Sequence, residues 1–207
     1  MTQVYIPVAM VKAIIPFISK EEYRLNMTGF LINEGNLIAT NGLIMAVLRP
    51  HARFAIDESV SFRVPLSAAR FIAKGKDNPK DPTLAMIDTE KFTYTIRGVQ
   101  ENHYNQDDSS FADYKRAIAR VKNGKYNYKE NRPPEIEGFS FGVKHLNAFS
   151  GFDKVLTFVH PKEELAPTIV YGHNDIFTGW GMITPYRNRE SFEAFPSWVL
   201  NEKEPEQ

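Results

Sequence analysis

The chain has 207 residues, of which 43% are hydrophobic and 13% aromatic, so it can bury one large core or two small ones and is not disordered over most of its length. Its 25 basic and 25 acidic side chains give a formal net charge of zero, so any charged function must be local. The lack of cysteine excludes disulfides, thiolate metal sites and cysteine nucleophiles.

At the beginning of the sequence, the pattern predicts no targeting segment. Residues 1–6 lack a basic region followed by a long apolar run, and charged side chains interrupt every apolar stretch before it reaches membrane-spanning length. The sequence therefore predicts a soluble, cytoplasmic protein with no membrane partner.

The first fifty residues predict a strand, a helix and three further strands. Residues 4–6 are β-rich, and Pro7 opens a helix whose apolar positions recur every three or four residues, at Val8, Val11, Ile14, Ile15 and Ile18. Strands are predicted at 24–33, 36–40 and 43–49, with turn signals between them. This order is a βαβββ unit.

The pattern begins again at residue 61. A strand at 61–64 precedes a helix at 66–74 that Pro65 opens, and paired strands are predicted at 83–87 and 91–97. The third strand of this unit is lost or hidden, because residues 99–110 are polar without an apolar period and indicate a long loop.

A third unit is predicted near the end of the chain. Its elements are a strand at 138–143, a helix beginning at 144–149, and strands at 155–159, 168–171 and 176–183. Repeats of one supersecondary unit rarely fold alone, so neighbouring units should share a sheet. The expected class is α+β, with antiparallel sheets and the helices on one face.

Two segments have uneven charge. Residues 115–132 hold seven basic side chains against Glu130, with Tyr114, Tyr126 and Tyr128 interleaved or adjacent. The tyrosines and cations suit nucleic acid, and a solvated linker explains the same composition. Residues 190–207 hold five acids against Lys203. Within them, Phe192, Phe195 and Trp198 form an apolar strip that is able to dock.

Several motifs, in order, resemble the bacterial sliding clamp, the beta subunit of DNA polymerase III. They are Arg24-Leu25-Asn26-Met27-Thr28-Gly29-Phe30-Leu31, Ala39-Thr40-Asn41-Gly42-Leu43-Ile44-Met45-Ala46, Val64-Pro65, Phe111-Ala112-Asp113-Tyr114-Lys115-Arg116, residues 139–146, and Ile183-Thr184-Pro185-Tyr186-Arg187. Each motif alone is weak, and their collinear order over most of the chain carries the resemblance. This chain departs from the family at Asn41 and at Leu43-Ile44, where the family has Asp and His-Arg.

The resemblance implies DNA-clamp-like repeats of βαβββ units in a ring of roughly twelve, with helices lining a hole for duplex DNA. The expected divisions are a clamp-like domain of two units at 1–114, a basic linker or degenerate unit at 115–135, a clamp-like half domain at 136–189, and a C-terminal tail at 190–207. Closing a ring takes four chains, or three if the basic segment hides a fourth unit, and a monomer fits the sequence equally.

The resemblance also assigns cations to DNA. The helix-borne candidates are Lys12, Lys20, Arg70, Lys74, Lys76 and Lys144, and the basic segment adds Lys122 and Lys125. In a clamp these side chains face phosphates and give a salt-sensitive attraction without base reading. The alternative is ordinary solvated helix faces.

A second implied site is the pocket that accepts a short apolar motif of a partner protein. Its matched positions are Arg24, Met27, Thr40, Gly42, Met45, Pro185, Tyr186 and Arg187. Apolar and thioether-lined surfaces suit variable peptide ligands. The alternative is that the methionines are core residues and that Gly42 only supplies a positive φ.

No pattern indicates catalysis, a metal or a cofactor. The cluster of His160, Glu163, Glu164, His173 and Asp175 lacks metal-ligand spacing, and no phosphate-binding glycine loop or nucleophile elbow occurs. The sequence predicts a non-enzymatic clamp that tethers a DNA polymerase or another DNA-processing protein to duplex DNA, with a clamp loader as a further partner. The alternative is a clamp-fold interaction module, of phage or other viral type, that binds a host replication or defence factor without encircling DNA.

Overall fold

The computed structural model describes residues 3–21, 23–77, 81–104, 110–122, 141–153, 155–160 and 166–185. The first unit comprises strand β1 (Gln3–Pro7), helix α1 (Val8–Ile14) and strands β2 (Gly29–Asn33), β3 (Asn36–Thr40) and β4 (Ile44–Pro50). The second comprises β5 (Phe62–Pro65), α2 (Leu66–Ala73), β6 (Leu84–Asp88), β7 (Thr93–Ile96) and β8 (Val99–Asn102). Helix α3 (Tyr114–Lys122) follows, and the third unit supplies α4 (Val143–Ala148), β9 (Thr157–Val159), β10 (Thr168–His173) and β11 (Phe177–Ile183).

The first two units exchange their first strands. β1 pairs with β6 of the second unit, and β5 pairs with β2 of the first unit, both antiparallel. The four-stranded sheet has the order β1-β6-β7-β8. Because each sheet contains strands of both units, neither unit completes its sheet alone, and the α+β class with antiparallel sheets is confirmed.

The third unit extends the other sheet. β11 runs antiparallel to β4 along its whole length, from Ile183 opposite Ile44 to Phe177 opposite Pro50. The result is a seven-stranded sheet of order β5-β2-β3-β4-β11-β10-β9. The third unit is therefore joined to the first unit rather than to the second, which precedes it in sequence.

Two expectations for the strands were wrong. Val99–Asn102 forms the third strand of the second unit, paired with β7, where the polar composition had predicted a loop. The predicted strand at 138–143 is not found in its described part, because residues 141–142 precede α4, which begins at Val143. Residues 138–140 lie outside the described part of the chain.

The core lies between the sheets and helices α1, α2 and α4. Alternate residues of β4, Ile44, Ala46 and Leu48, are at most 2% exposed and belong to this core. In β11 the residues on the same face include Gly179 and Gly181, which let Phe152 and Phe149 approach the backbone closely. These rings form an aromatic cluster with Phe17, whose ring centroid lies 4.9 Å from that of Phe149 and 5.6 Å from that of Phe152.

Helix α3 is the exception to the expectation that the helices lie on one face. It packs against the face of the seven-stranded sheet that carries Met45, Val47 and Trp180, which alternate with the core residues. The sequence predicts a basic linker or a degenerate unit at residues 115–135. Residues 115–122 continue α3, and residues 123–140 lie outside the described residues. Within the described ranges, no helix is long and apolar enough to cross a membrane.

Candidate functional site

Five of the predicted DNA-binding cations lie on the helix side of the molecule. Helices α1 and α2 bury their apolar stripes, and each of the three helices leaves a cation exposed, with Lys12 on α1, Arg70 on α2 and Lys144 on α4. Lys74 and Lys76 are exposed just after α2. Helix α1 contacts both α2 and the turn that follows α4, so the three helices are neighbours. None of the three helices contains an acidic residue, so the charged side chains of the helices themselves are all basic.

Hydrogen bonds fix the backbone that follows α2 and carries Lys74 and Lys76. The carbonyl of Lys76 accepts hydrogen bonds from Arg97 Nη2 at 2.8 Å and from Thr83 Oγ1 at 2.8 Å. The Lys74 ammonium lies 6.0 Å from the centre of the Phe71 ring. These contacts fix the chain that follows α2 while leaving both ammonium groups exposed to solvent.

The remaining predicted cations are placed elsewhere. Lys20 is exposed beyond the helical turn that follows α1. Lys122 is the last residue of α3, and α3 lies on the other face of the seven-stranded sheet from α1 and α2. Lys125 lies outside the described residues.

The β3–β4 turn is organised by side chains of the predicted peptide pocket. Arg24 donates from Nη1 to the carbonyl of Asn41 at 2.6 Å, and its Nε pairs with Glu21 Oε2 at 2.7 Å. Thr40 Oγ1 donates to the carbonyl of Ile44 at 2.9 Å and accepts the N–H of Gly42 at 3.1 Å. The predicted positive φ of Gly42 is found, at +89°.

Asn41 stands where the motif that this segment resembles has Asp, and its side-chain oxygen is an acceptor in this turn. Its Oδ1 accepts the N–H of Leu43 at 3.0 Å and of Ile44 at 3.1 Å. A neutral amide therefore makes the turn's two hydrogen bonds without adding a negative charge.

A cavity of about 260 Å³ opens beside this turn, between the sheet and α3. Three predicted pocket residues, Thr40, Gly42 and Met45, line it. Arg24 and Met27 lie behind Gly42, because a Cβ at that position would be 2.7 Å from Arg24 Nη1 and 3.9 Å from Met27 Sδ. The other lining residues are Leu43, Ile44, Ala117, Arg120, Val121, Pro167, Met182 and Thr184.

The last three predicted pocket residues follow the described end of β11. Pro185 is buried and comes directly after Thr184, which lines the cavity. Tyr186 and Arg187 lie outside the described residues. Three of the residues predicted for the pocket therefore share this cavity, and the wall that α3 forms was not predicted.

A second cavity, of about 340 Å³, lies further along the same strands. It is lined by Val47, Ile118, Val121, Ile169, Tyr171 and Trp180. Val47 pairs with Trp180, and Trp180 with Tyr171, so these side chains stand on one sheet face. Val121 of α3 lines both cavities, and we call the two together the α3 groove.

Helix α3 is fixed over the sheet at its N-terminal end. Asn33 Nδ2 donates to Tyr114 Oη at 2.8 Å, and the backbone N–H of Ala112 donates to the carbonyl of Asn26 at 3.2 Å. Lys115 forms an ion pair with Glu34, and this hydrogen-bonded carboxylate raises the pKa of the lysine. The N-terminal end of α3 is thus anchored by three contacts to the first unit.

The histidine cluster that the sequence set aside has a structural role in its described part. His160 Nδ1 lies 3.0 Å from Thr168 Oγ1, and burial lowers the pKa of this imidazole. The His173 ring instead lies 5.0 Å from that of His51. In the described part of the chain, no three residues of metal-binding type come together, while Glu163 and Glu164 fall outside it.

No family model and no curated protein matches the chain. Solved structures do match it across about nine-tenths of its length. The beta subunit of DNA polymerase III from Thermotoga maritima is 13% identical, with a TM-score of 0.57, covering 91% of this chain and 66% of that one. The beta subunit from Pseudomonas aeruginosa is 15% identical, with a TM-score of 0.56, covering 90% and 67%.

A third match is the sliding clamp of Bartonella birtlesii bound to griselimycin, at 13% identity and a TM-score of 0.57, covering 90% of this chain and 66% of that one. The exchanged βαβββ units and these matches define the fold as that of a DNA sliding clamp. The resemblance to the bacterial beta subunit, predicted from short motifs, is confirmed as a divergent one. The chain spans about two-thirds of the length of these structures.

Proposed function

We propose that this protein is a clamp-like accessory factor that contacts duplex DNA and tethers a DNA-processing protein, such as a polymerase, to it. The observation that carries the proposal is the division of the molecule into two faces. Helices that bear cations and no acids cover one side of the seven-stranded sheet. On the other side, an apolar groove lies between the sheet and α3. The role that we propose is binding rather than catalysis.

The helix side suits the phosphate backbone of DNA rather than its bases. Lys12, Arg70 and Lys144 are exposed on three neighbouring helices, without a common recognition helix that would enter a groove. Long cations that meet phosphates release counterions and bind every sequence alike. Such binding allows a protein to move along DNA.

The groove side suits a short apolar peptide. Met45 and Met182 line the first cavity, and thioether side chains repack around different ligands. The second cavity offers Trp180 and Tyr171, which are large surfaces for an anchor residue. A protein held by such a peptide gains a high effective concentration at the DNA to which the factor is bound.

The experiment that tests the DNA contact is charge reversal on one face at a time. We expect Arg70→Glu combined with Lys74→Glu to weaken binding to a labelled duplex about tenfold at low salt. The slope of log K against log salt should fall by about two, because two phosphate contacts are lost.

The matched control reverses the charges of two exposed cations on the groove side of the sheet, Arg49 on β4 and Arg116 on α3. Arg49→Glu combined with Arg116→Glu makes the same change in net charge and should leave most of the affinity. Equal losses in the two double variants would contradict a DNA contact through the helices.

A further inference from the structure

The α3 groove runs directly from the point where the described chain ends. Thr184 lines the first cavity, and its N–H donates to the carbonyl of Leu43 at 3.0 Å. Pro185, the next residue, is buried. The described residue from which the chain continues into 186–207 therefore lies beside the groove.

The segment has the composition of a groove ligand. Its apolar residues recur at a spacing of three, at Phe192, Phe195 and Trp198, and Val199 and Leu200 follow. Six residues lie between Pro185 and Phe192, and the seven residue-to-residue steps of an extended chain span about 24 Å. The apolar strip can thus reach both cavities without moving any described element.

The charges of the segment and of α3 are complementary. Arg120 lines the first cavity and Arg116 stands one turn before it, both exposed, and neither forms an ion pair within the described ranges. Residues 190–207 carry five acids and one base, with Glu190 and Glu193 beside the apolar strip. Opposite charges beside an apolar contact favour docking in one place.

We propose that residues 190–200 of this chain dock in the α3 groove and compete there with the peptide of a partner protein. The inference rests on the proposed function, since docking of the segment would regulate the binding of a partner peptide in the same groove. The tether gives the segment an effective concentration of about 1 mM, so even a dissociation constant of about 100 μM leaves the groove mostly occupied. A partner must then displace the segment, which restricts tethering to strong ligands.

Disulfide trapping tests the docking, because the chain contains no cysteine of its own. Leu43, 45% exposed at the mouth of the groove, is changed to Cys together with Phe195→Cys. The control pairs Phe195→Cys with Leu84→Cys, at a position 42% exposed on the four-stranded sheet. In dilute protein under mild oxidation, we expect an intramolecular disulfide in the first variant at least tenfold faster than in the control.

Equal rates in the two variants would overturn the docking. A covalent dimer as the main product of the first variant would also overturn it, since the segment would then bind a second copy. Repeating the trap with Phe192→Cys or Trp198→Cys in place of Phe195→Cys covers a shift in register, and failure at all three positions counts against the proposal.

Competition is tested with a labelled synthetic peptide of residues 189–201. We expect it to bind the full-length variant with Phe192, Phe195 and Trp198 changed to Ser about tenfold more tightly than the unchanged chain, whose groove is already occupied. Leu43→Asp in that variant should abolish the gain. Equal affinity for the variant and the unchanged chain would overturn self-occupancy, whereas the proposed function fails separately, in the charge-reversal test with DNA.

Discussion

Asp88 shows how a single side chain stabilises a turn of this fold. Its Oδ1 accepts the backbone N–H of Lys91 at 2.9 Å and of Glu90 at 3.1 Å in the turn between β6 and β7. The hydrogen bond from Lys91, followed by that from Glu90 and the charge of Lys91, lowers the pKa of Asp88 below its ordinary value of 3.8. The carboxylate form is thus favoured by the folded state.

The sign of the pH effect follows from this lowered pKa. The stabilisation is complete above the unfolded pKa and is lost as pH falls through the lower folded pKa. We expect the free energy of unfolding of the protein to fall on acidification below about pH 4, and Asp88→Asn to reduce that fall, because an amide oxygen still accepts both bonds without titrating.

Urea unfolding at a series of pH values measures this effect. The control is Asp81→Asn, which removes an exposed carboxylate just before β6 and should keep the pH dependence of the unchanged chain. An identical pH profile for Asp88→Asn and the unchanged chain would show that this turn does not contribute to acid sensitivity.

Individual residues of the peptide pocket were predictable to different degrees. A positive φ at Gly42 follows from Asn41-Gly42 as a turn signal, and it is present. For Met45, the sequence allowed a role in the core or in the pocket. The side chain is 4% exposed and lines the first cavity. The two interpretations did not exclude each other, because the sheet face carrying Met45 is covered by α3 only in part.

At the scale of elements, the pairing of β4 with β11 depends on glycine. A Cβ at Gly181 would lie 2.5 Å from the carbonyl oxygen of Met45 and 2.6 Å from Cε1 of Phe149. The strand must pass between a neighbouring backbone and a fixed aromatic ring, and only glycine fits that space.

We expect Gly181→Ala to destabilise the protein by about 1–3 kcal/mol, because overpacking forces the Phe149 ring or β4 to shift. Thermal unfolding monitored by circular dichroism measures the change. Thr178→Ala, on the same strand at an exposed position, is the control and should lower stability by less than about 1 kcal/mol. Equal stability of Gly181→Ala and the unchanged chain would mean that the sheet adjusts without cost.

Two elements, helix α3 and strand β8, were not predicted, because their composition favoured a linker or a loop. In α3, Ala117, Ile118 and Val121 recur at helical spacing, but the surrounding cations pointed to a linker. In β8, the residues Val-Gln-Glu-Asn carry no apolar alternation, and none of the four is buried at this edge of the sheet. Strands rich in apolar residues, such as β4 and β11, were predicted nearly to the residue.

At the scale of the whole molecule, the joining of distant units was not predictable from local patterns. The contact between β4 and β11 spans more than a hundred residues of sequence, and its register is fixed by residues that meet only in the fold, such as Ala46 opposite Gly181. Periodicity identifies strands but not their partners. The order of known motifs indicated the fold family.

Both sheets end in strands that have one neighbour each in the described part of the chain. β8 pairs with β7 at one end, and β9 pairs with β10 at another. Val99 on β8 is 58% exposed. Exposed edges of this kind pair with other chains unless they are blocked, and head-to-tail pairing of one edge with a different edge closes into a ring.

We therefore expect several copies of the 23.7 kDa chain to assemble, with a mass by light scattering of about three or four copies, as a ring requires. Val99→Lys places a charge on the β8 edge and should lower the mass toward one copy, whereas Leu84→Lys, on the interior strand β6, should not. A ring also predicts retention on circular DNA and loss from the same DNA once it is cut, because sliding off needs a free end. A mass of one copy at all concentrations, with equal retention on both DNA forms, would mean that the protein contacts DNA from one side without encircling it.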